Sequence, residues 1–413
     1  MDLTYSAADE AFRTEVRTWL EDNLAGEFAA LRGLGGPGRE HEAHEERLAW
    51  DRHLAAHGWT CLGWPVEHGG RGLPLFWQVI FHEEYARANA PARVNHLGEE
   101  LLGPTLIAFG TPAQQQRFLP RIAAVEELWC QGYSEPNAGS DLANVQTRAR
   151  LETGPSGQQD EWVIDGQKVW TSLAHVADWC FVVARTEPAG GDGSARRHHG
   201  LSYLLVPMDQ PGVEVRPIVQ LTATSEFNEV FFTGARTAAD LVVGRPGDGW
   251  KVAMATLGFE RGVSTIGQQT GFRRELDAVI ALARGNGTID DPVLRDRLAR
   301  ASAELEVIRL NALRTLSLDA ATQARLGSTS IAKLLWASWH RTLGELVMAV
   351  RGSDGLFATG DPADGGLDEW QRLYLFSRAD TIYGGSDEIQ RNILAERVLG
   401  LPREVRGEPK GAS

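Results

Sequence analysis

The sequence predicts an α+β fold built from three consecutive parts: helical, then β, then helical. Apolar residues recur at helical spacing through residues 1–128, and short runs rich in β-branched and aromatic residues follow in 129–240. Helical spacing then returns and continues through 241–413. A chain of 413 residues is too long for one small core. We therefore expect three domains with these boundaries.

The first part begins with a predicted helix. Apolar residues from Phe12 to Leu20 recur at helical spacing behind Ser6, which is a suitable N-cap. Further helices are predicted at 75–90 and 99–125, with breaks at proline- and glycine-containing steps.

The central part contains a predicted hairpin. Residues 161–170 place two extended arms on either side of Asp165-Gly166, a dipeptide that is favoured in two-residue hairpin turns. Further strands are predicted at 179–184, 201–206 and 229–232.

The last part is predicted to be helical almost throughout. The helical period returns after Gly249-Trp250. The predicted helices are 250–268, 272–285, 292–325, 328–351 and 368–398.

Two short patterns resemble functional motifs without their usual context. Gly33–Gly38 matches G-x-G-x-x-G in form, but no strand precedes it and it contains Pro37, so we interpret it as a connector. His198 and His199 end a proline- and glycine-rich stretch that we interpret as a solvated loop rather than a metal site. We expect no metal.

Composition excludes several classes of protein. The formal net charge is −14, which argues against a nucleic-acid or anionic-membrane surface. No apolar run approaches the length of a membrane span. The three cysteines form no CxxC pair or disulfide framework, and the first residues show no signal-peptide pattern. We expect a cytoplasmic protein.

Three ordered segments carry candidate chemistry. The first runs from Tyr133 to Asp141 and reads Y-S-E-P-N-A-G-S-D; its glycine and serine offer backbone amides suited to phosphate or flavin oxygens, although an ordinary β-turn would have the same composition. The second is Val169-Trp170-Thr171-Ser172. The third runs from Ile382 to Arg391 and reads I-Y-G-G-S-D-E-I-Q-R.

The order and spacing of these segments resemble the acyl-CoA dehydrogenase family, and the resemblance extends over essentially the whole chain. It implies FAD as the cofactor. It also implies that the central part is a β-barrel-like domain and the C-terminal part a four-helix bundle.

The resemblance assigns roles to individual residues. The residues expected to contact the flavin are Gln131, Tyr133, Ser134, Gly139, Ser140, Trp170 and Ser172. Ser386 and Glu388 are expected near the adenosine part of FAD. Ser140, Arg261 and Tyr383 are expected along the path of the CoA thioester.

The C-terminal motif departs from the commonest form of the family at its catalytic position. That form reads Tyr-Glu-Gly, and its glutamate removes the α-proton while the β-hydrogen leaves as hydride to flavin N5. Here the position is Gly384, which has no carboxylate but keeps its backbone N–H. Some members place the base on the first long helix of the last domain, where this chain has Glu260. An ion pair of Glu260 with Arg261 on a helix surface is the alternative.

Other departures concern the assembly. The motif that reaches the FAD of a neighbouring subunit in the family is degraded to Ala349–Ser353. The combined motifs resemble an actinobacterial branch that includes steroid side-chain dehydrogenases, whose members often pair two different chains. We expect a homo-oligomer, or a heteromer with a second acyl-CoA dehydrogenase-like chain. An electron-transfer flavoprotein is the implied electron acceptor.

Three functions stay open on the sequence. The favoured one is dehydrogenation of an acyl-CoA with Glu260 as base. The others are a half-catalytic subunit of a heteromeric dehydrogenase and a flavin-dependent monooxygenase on the same fold.

Overall fold

A computed structural model of the chain describes residues 5–153, 160–187, 198–259, 264–316, 318, 320–360 and 365–403. Contacts between Cα atoms divide the chain into two compact units. The first comprises residues 2–270 with 360–367, and the second comprises 271–359 with 368–413. We call them the first unit and the second unit.

The first unit begins with helices. They are α1 (Ala7–Asn23), α2 (His44–Ala56), α3 (Leu75–Arg87), α4 (Gly103–Phe109) and α5 (Pro112–Ala123). The predicted N-cap is confirmed: the hydroxyl of Ser6 accepts from the N–H of Asp9, and the Asp9 carboxylate accepts from the N–H of Ser6. Phe12 and its helical neighbours pack with Trp50 and Ile80 in an apolar core.

The rest of the first unit is mostly a curled seven-stranded sheet. Its strands are β1 (Trp129–Gly132), β2 (Arg148–Thr153), β3 (Asp160–Ser172), β4 (Trp179–Arg185), β5 (Leu201–Pro207), β6 (Val213–Ile218) and β7 (Phe227–Ala238). The order along the sheet is β1-β4-β2-β3-β7-β6, with β5 also paired to β4. The strands predicted at 179–184, 201–206 and 229–232 are confirmed.

The predicted hairpin at Asp165-Gly166 is wrong. Strand β3 runs straight through the dipeptide and pairs with both β2 and β7. Opposite it, β7 carries an extra residue, Gly234, whose N–H donates to Asp165 Oδ1 over 2.8 Å. The dipeptide therefore accommodates a β-bulge rather than a turn. Glycine is needed at 166 because a Cβ there would lie 2.4 Å from the Thr147 hydroxyl oxygen.

The remaining helices begin with α6 (Gly249–Phe259) in the first unit and α7 (Ser264–Gly285), within which the boundary between the units falls. The second unit adds α8 (Pro292–Leu316), α9 (Ala320–Leu326), α10 (Ser328–Arg351), α11 (Glu369–Phe376) and α12 (Asp387–Ile393). Its core is a helical bundle in which Leu276 of α7, Leu305 of α8 and Leu343 of α10 are buried together.

The prediction of one helix over 368–398 is wrong, because α11 and α12 are separated by the segment that holds the C-terminal motif. Gly384 and Gly385 have φ of +62° and +87°, a conformation that ends a right-handed helix. In the part of the chain that the structure describes, no helix has the length and apolar character to cross a membrane.

Candidate active site

In the first unit, the first candidate motif continues from β1 into a loop. Gln131 lies on β1 opposite Phe181 of β4. Tyr133 follows, with its ring edge-on to Phe181 at 5.9 Å between centroids. The side-chain nitrogen Nε2 of Gln131 is buried and has no hydrogen-bond partner among the described residues. A buried donor without an acceptor is unfavourable, so this position suits a ligand that brings an acceptor.

The loop after Tyr133 is a tight turn with one open side. Glu135 and Ala138 exchange backbone hydrogen bonds of 3.1 and 3.0 Å. Gly139 and Ser140 follow and are exposed. A Cβ placed on Gly139 would meet no described atom within 4 Å. Since no neighbouring atom requires glycine at 139, close approach of a ligand to the backbone is the better reason for it.

A buried lysine anchors this loop to β3. The side chain of Lys168 is 0 % exposed, and its Nζ donates to Glu135 Oε1 over 2.8 Å. The same Nζ donates to the carbonyls of Tyr133, over 3.0 Å, and Val183, over 2.8 Å. These three acceptors match the three N–H groups of the ammonium. Lys168 therefore fixes the backbone of the loop relative to β3 and β4.

Glu135 completes the anchor from the other side. Its carboxylate accepts from the backbone N–H groups of Gln146 and Thr147 over 2.6 and 2.8 Å. Burial alone would raise the pKa of Glu135, but the charge and hydrogen bond of Lys168, with these N–H groups, lower it below its ordinary value. Glu135 is thus a buried carboxylate paired with a buried ammonium.

Trp170 interrupts the regular course of β3. Its φ is +61°, and the register between β3 and β7 shifts between Lys168 and Thr171. The indole is 58 % exposed and contacts Phe227 edge-on at 6.1 Å. A positive φ at a bulky residue is rare and strained, and such strain clusters at functional sites. The exposed indole is available to pack against a planar ligand.

The first two candidate motifs lie side by side. The N–H of Val169 donates to the carbonyl of Ser134 over 2.9 Å, and Lys168 reaches the carbonyl of Tyr133. Ser172 is half-buried two residues beyond the indole, and the hydroxyl oxygen of Thr171 is buried without a partner among the described residues.

This part of the first unit fits FAD in its chemistry. It combines an exposed aromatic face, an unpartnered amide donor at Gln131, hydroxyls at Ser134 and Ser172, and an open backbone at Gly139. A flavin needs these groups: a packing surface for its ring, donors for its ring nitrogens and oxygens, and amides for its phosphates.

In the second unit, the C-terminal motif is held by hydrogen bonds between side chain and backbone. Gln390 Nε2 donates to the carbonyls of Gly384 and Gly385 over 3.3 and 3.1 Å. Ser386 is the N-cap of α12 and accepts from the N–H of Ile389 over 3.4 Å. The exposed Glu388 lies in the first turn, where its own backbone N–H and Ser386 lower the pKa of its carboxyl.

Tyr383 begins a chain of polar groups whose middle members, Asp380 and His340, are buried. Its hydroxyl donates to Asp380 Oδ1 over 2.6 Å. The other oxygen of Asp380 accepts from His340 Nδ1 over 2.5 Å, and His340 Nε2 lies 3.1 Å from Glu275 Oε2. Burial alone would lower the pKa of His340, but its hydrogen bonds to the two carboxylates and their charges raise it to about 10. The imidazole is therefore protonated at neutral pH and holds Asp380 under Tyr383.

Lys333 supports the same tyrosine. Its Nζ donates to the Asp380 carbonyl over 2.7 Å and lies 4.1 and 4.4 Å from the ring centroids of Trp336 and Tyr383. Cation–π attraction of this kind fixes the orientation of the rings. The motif residue Tyr383 is thus held through both its hydroxyl and its ring.

Two of the residues predicted for catalysis and substrate binding, Glu260 and Arg261, lie outside the described residues. Helix α6 is described to Phe259 and α7 from Ser264.

Sequence reasoning missed the residues that hold these motifs in place. Lys168 lies an even number of positions from the buried Trp162 and Ile164 of β3. Because side chains alternate along a strand, its position on the buried face was detectable from the sequence. His340 lies on the buried stripe of α10 with Trp336 and Leu343, at helical spacing. No pattern in the sequence connects it to Asp380, 40 residues away.

Family models match the chain in three consecutive stretches. Residues 6–126 match the N-terminal domain of acyl-CoA dehydrogenases, residues 130–235 the middle domain, and residues 247–399 the C-terminal domain.

Curated relatives match over nearly the full length. The chain is 66% identical over 398 residues to the acyl-CoA dehydrogenase IpdE1 of Mycobacterium tuberculosis, covering 96% of this chain and 99% of that protein. It is 65% identical over 403 residues to IpdE1 of Mycolicibacterium smegmatis, covering 96% and 99%.

Solved structures of similar fold include two assemblies of paired chains. The Tcur3481-Tcur3483 steroid ACAD superposes with a TM-score of 0.80 at 29% identity, covering 98% of this chain and 100% of that one. The ChsE4-ChsE5 complex of Mycobacterium tuberculosis gives a TM-score of 0.77 at 28% identity, with coverage of 98% and 100%.

Proposed function

Because this chain belongs to the acyl-CoA dehydrogenase family, whose members are FAD-dependent oxidoreductases, we propose that it converts an acyl-CoA thioester to the 2-enoyl-CoA. The observation that carries the proposal is the hydrogen bond between Val169 and Ser134. It brings the loop of the first motif next to the strained and exposed Trp170. Together, the loop and the indole offer the packing surface and the donors that a flavin requires.

The residues that would hold FAD follow from this arrangement. Gln131, Ser134 and Ser172 would donate to the ring, Trp170 would pack on it, and the backbone at Gly139 would admit the phosphates. Tyr133 supports the loop through its buried ring, and Ser140 serves both the flavin and the CoA thioester. Ser386 and Glu388 are proposed for the adenosine part.

The reaction divides between the cofactor and the chain. FAD, when bound, would supply the acceptor for the β-hydrogen, which leaves as hydride. Glu260 takes the α-proton, and the N–H of Gly384 helps to hold the thioester oxygen, so that negative charge developing there is stabilised. Arg261 and Tyr383 line the path of the thioester.

Two facts support Glu260 as the base. Position 384 is glycine with φ of +62°, so it contributes backbone and no carboxylate. Glu260 follows the last described residue of α6 in the sequence, and it occupies the alternative base position that the family resemblance implies. A carboxylate within reach of the α-carbon provides the general base that the chemistry needs.

The proposed substrate is a CoA thioester of a steroid-derived acid. Support comes from the similarity to a structure described as a steroid ACAD. The proposed acceptor of the electrons is an electron-transfer flavoprotein, as the family resemblance implies. The proposed site of action is the cytoplasm.

A second candidate is a half-catalytic subunit of a heteromer. The ChsE4-ChsE5 complex supports it, together with the loss of the family's intersubunit motif at Ala349–Ser353. In that case this chain would bind FAD fully only beside its partner chain.

Anaerobic mixing with a panel of acyl-CoAs tests the function. Bleaching of the flavin absorbance by steroid-derived thioesters, and much slower bleaching by straight-chain ones, is the expected result. No bleaching by any thioester, with FAD fully bound, would refute the dehydrogenase function of the chain alone. Recovery of bleaching on adding a partner chain would favour the heteromer.

A further inference from the structure

A cleft of about 680 Å³ opens in the first unit beside the second candidate motif. Its walls come from the loop around Glu40, the segment after β3 at His175, and the start of β7 at Asn228. None of the described residues proposed for flavin or thioester chemistry lines it.

Two buried side-chain oxygens in this cleft have no hydrogen-bond partner among the described residues. The side chain of Asn228 is 0 % exposed, and its Nδ2 donates to the carbonyl of Thr171 over 3.1 Å, but its Oδ1 has no partner. Oε2 of Glu40 is buried and also lacks a partner. A buried amide oxygen without a donor is unfavourable, and the Glu40 carboxyl becomes a further acceptor when it loses its proton, so the cleft suits a ligand rich in N–H groups.

The charge of the cleft is negative. Glu226 is 3 % exposed, accepts from Gln220 Nε2, and lies 3.3 Å from His41 Nδ1. Asp209 adds a carboxylate to the wall.

Basic groups near the cleft do not neutralise the free acceptors. Arg47 faces the Glu40 loop but donates to the backbone carbonyls of Glu40 and Glu42. His175 directs Nδ1 to the Asn228 amide nitrogen at 3.3 Å, and burial, then the neighbouring His44, lowers the pKa of His175. No lysine or arginine occurs among the described residues that line the cleft.

We propose that this cleft binds an alkylguanidinium group. A guanidinium carries five N–H donors in a planar fork, which can serve Asn228, Glu40 and Glu226 together. Met208, Val215 and Pro217 provide apolar walls for an aliphatic stem. An alkylammonium places its three donors on a single nitrogen, whereas a guanidinium spreads five donors over three nitrogens.

The occupied cleft would lie next to Trp170. The N–H of Leu173 donates to the Glu226 carbonyl over 3.0 Å, and Phe227, between the cleft residues Glu226 and Asn228, contacts the indole. A ligand here would therefore contact the elements that hold Trp170.

Ligand binding is also coupled to a proton. Burial, and then the charge of Glu226, raises the pKa of Glu40 to about 8. At pH 7 the carboxyl is therefore mostly protonated, and a guanidinium beside it favours the charged form. Binding should release close to one proton at pH 7.

Calorimetry of the full-length, FAD-loaded protein with ethylguanidinium tests the proposal, using two buffers of different ionisation enthalpy to count protons. We expect saturable binding with proton release. Glu226→Gln should weaken it by about 10- to 100-fold, and Glu40→Gln should weaken it and abolish the proton release. Glu229→Gln is the matched control, because Glu229 lies three residues after Glu226 but accepts from Gln167 outside the cleft.

Two results would overturn the proposal: no saturable binding at millimolar ethylguanidinium, or equal binding by the wild type and both cleft variants. A blocked tripeptide with a central arginine distinguishes the source of the group. Tighter binding of the tripeptide than of ethylguanidinium would assign the site to a polypeptide's arginine, and equal binding would assign it to a small guanidine.

Discussion

Lys168 Nζ lies 2.8 Å from Glu135 Oε1, and both side chains are buried. The pair joins β3 to the loop that follows β1. Because Lys168 also binds the Tyr133 carbonyl, it determines where Ser134 and Gly139 lie relative to Trp170. The buried ion pair thus positions the residues proposed to contact the flavin, although Lys168 and Glu135 are not among those residues.

Lys168→Met should lower both stability and FAD affinity. Removing one partner of a buried pair leaves an uncompensated charge, which costs about 3–5 kcal/mol. The free energy of unfolding in urea and the flavin retained after gel filtration measure the two effects. The Lys168→Met/Glu135→Gln double variant should be less destabilised than the sum of the single changes. Strict additivity would mean that the two groups do not interact.

Trp170→Ala should lower the affinity for FAD while leaving the stability of the FAD-free protein almost unchanged. The indole is 58 % exposed, so its loss should change the free energy of unfolding of the FAD-free protein by about 0.5 kcal/mol or less. FAD affinity should nevertheless fall. Trp162→Ala is the matched control: this tryptophan is buried, and its truncation should cost about 3–5 kcal/mol. Unchanged FAD affinity in Trp170→Ala would exclude packing of the indole on the flavin.

His340 should make the stability of the second unit depend on pH in the alkaline range. Its pKa is raised from 6.5 to about 10 in the folded protein. The stabilisation is therefore complete below pH 6.5 and is lost as the pH rises through 10, with a slope of up to about 1.4 kcal/mol per pH unit. The difference in unfolding free energy between wild type and His340→Gln, measured across this range, should shrink as the pH rises. A difference that stays constant across this range would contradict the assigned charge.

Gly384→Ala should destabilise the C-terminal motif. The φ of +62° at this position places a Cβ in the left-handed region, which costs about 1–2 kcal/mol. Denaturant unfolding measures the loss, and Gly258→Ala, in α6 with no described atom within 4 Å of its Cβ, should be neutral or stabilising by comparison. The same strain applies to Gly384→Glu, so transplanting the family's usual base to this position should restore little activity. Equal stabilities of the two alanine variants would argue against the left-handed conformation.

The sequence predicted the order of the parts well because local patterns determine it. Helical spacing and the Ser6 cap identified α1, and apolar runs identified β4 and β5. Asp165-Gly166 was misread because the same dipeptide suits a turn and a bulge, and only the partner strand with its extra Gly234 decides between them.

The sequence identified the candidate residues of the site, but not the residues that hold them in place. Trp170 and Ser134 belong to recognisable motifs, whereas their adjacency depends on the pairing of distant strands. The contact of His340 with Asp380 joins α10 to a segment 40 residues away, and no local periodicity encodes such a pair. The raised pKa of the imidazole comes from the two carboxylates that it contacts, and these come together only in the folded chain.

The identity of the base is tested most directly by the rate of anaerobic flavin reduction in Glu260→Gln. The amide is nearly isosteric, so the variant should retain FAD and bind acyl-CoA. With a substrate that bleaches the wild type, reduction should slow by about 10²- to 10⁴-fold, since the chemical step loses its proton acceptor. Glu304→Gln, at an exposed carboxylate of α8, should reduce at the wild-type rate. Reduction of Glu260→Gln at that same rate would contradict the assignment and require the base to come from another residue or a partner chain.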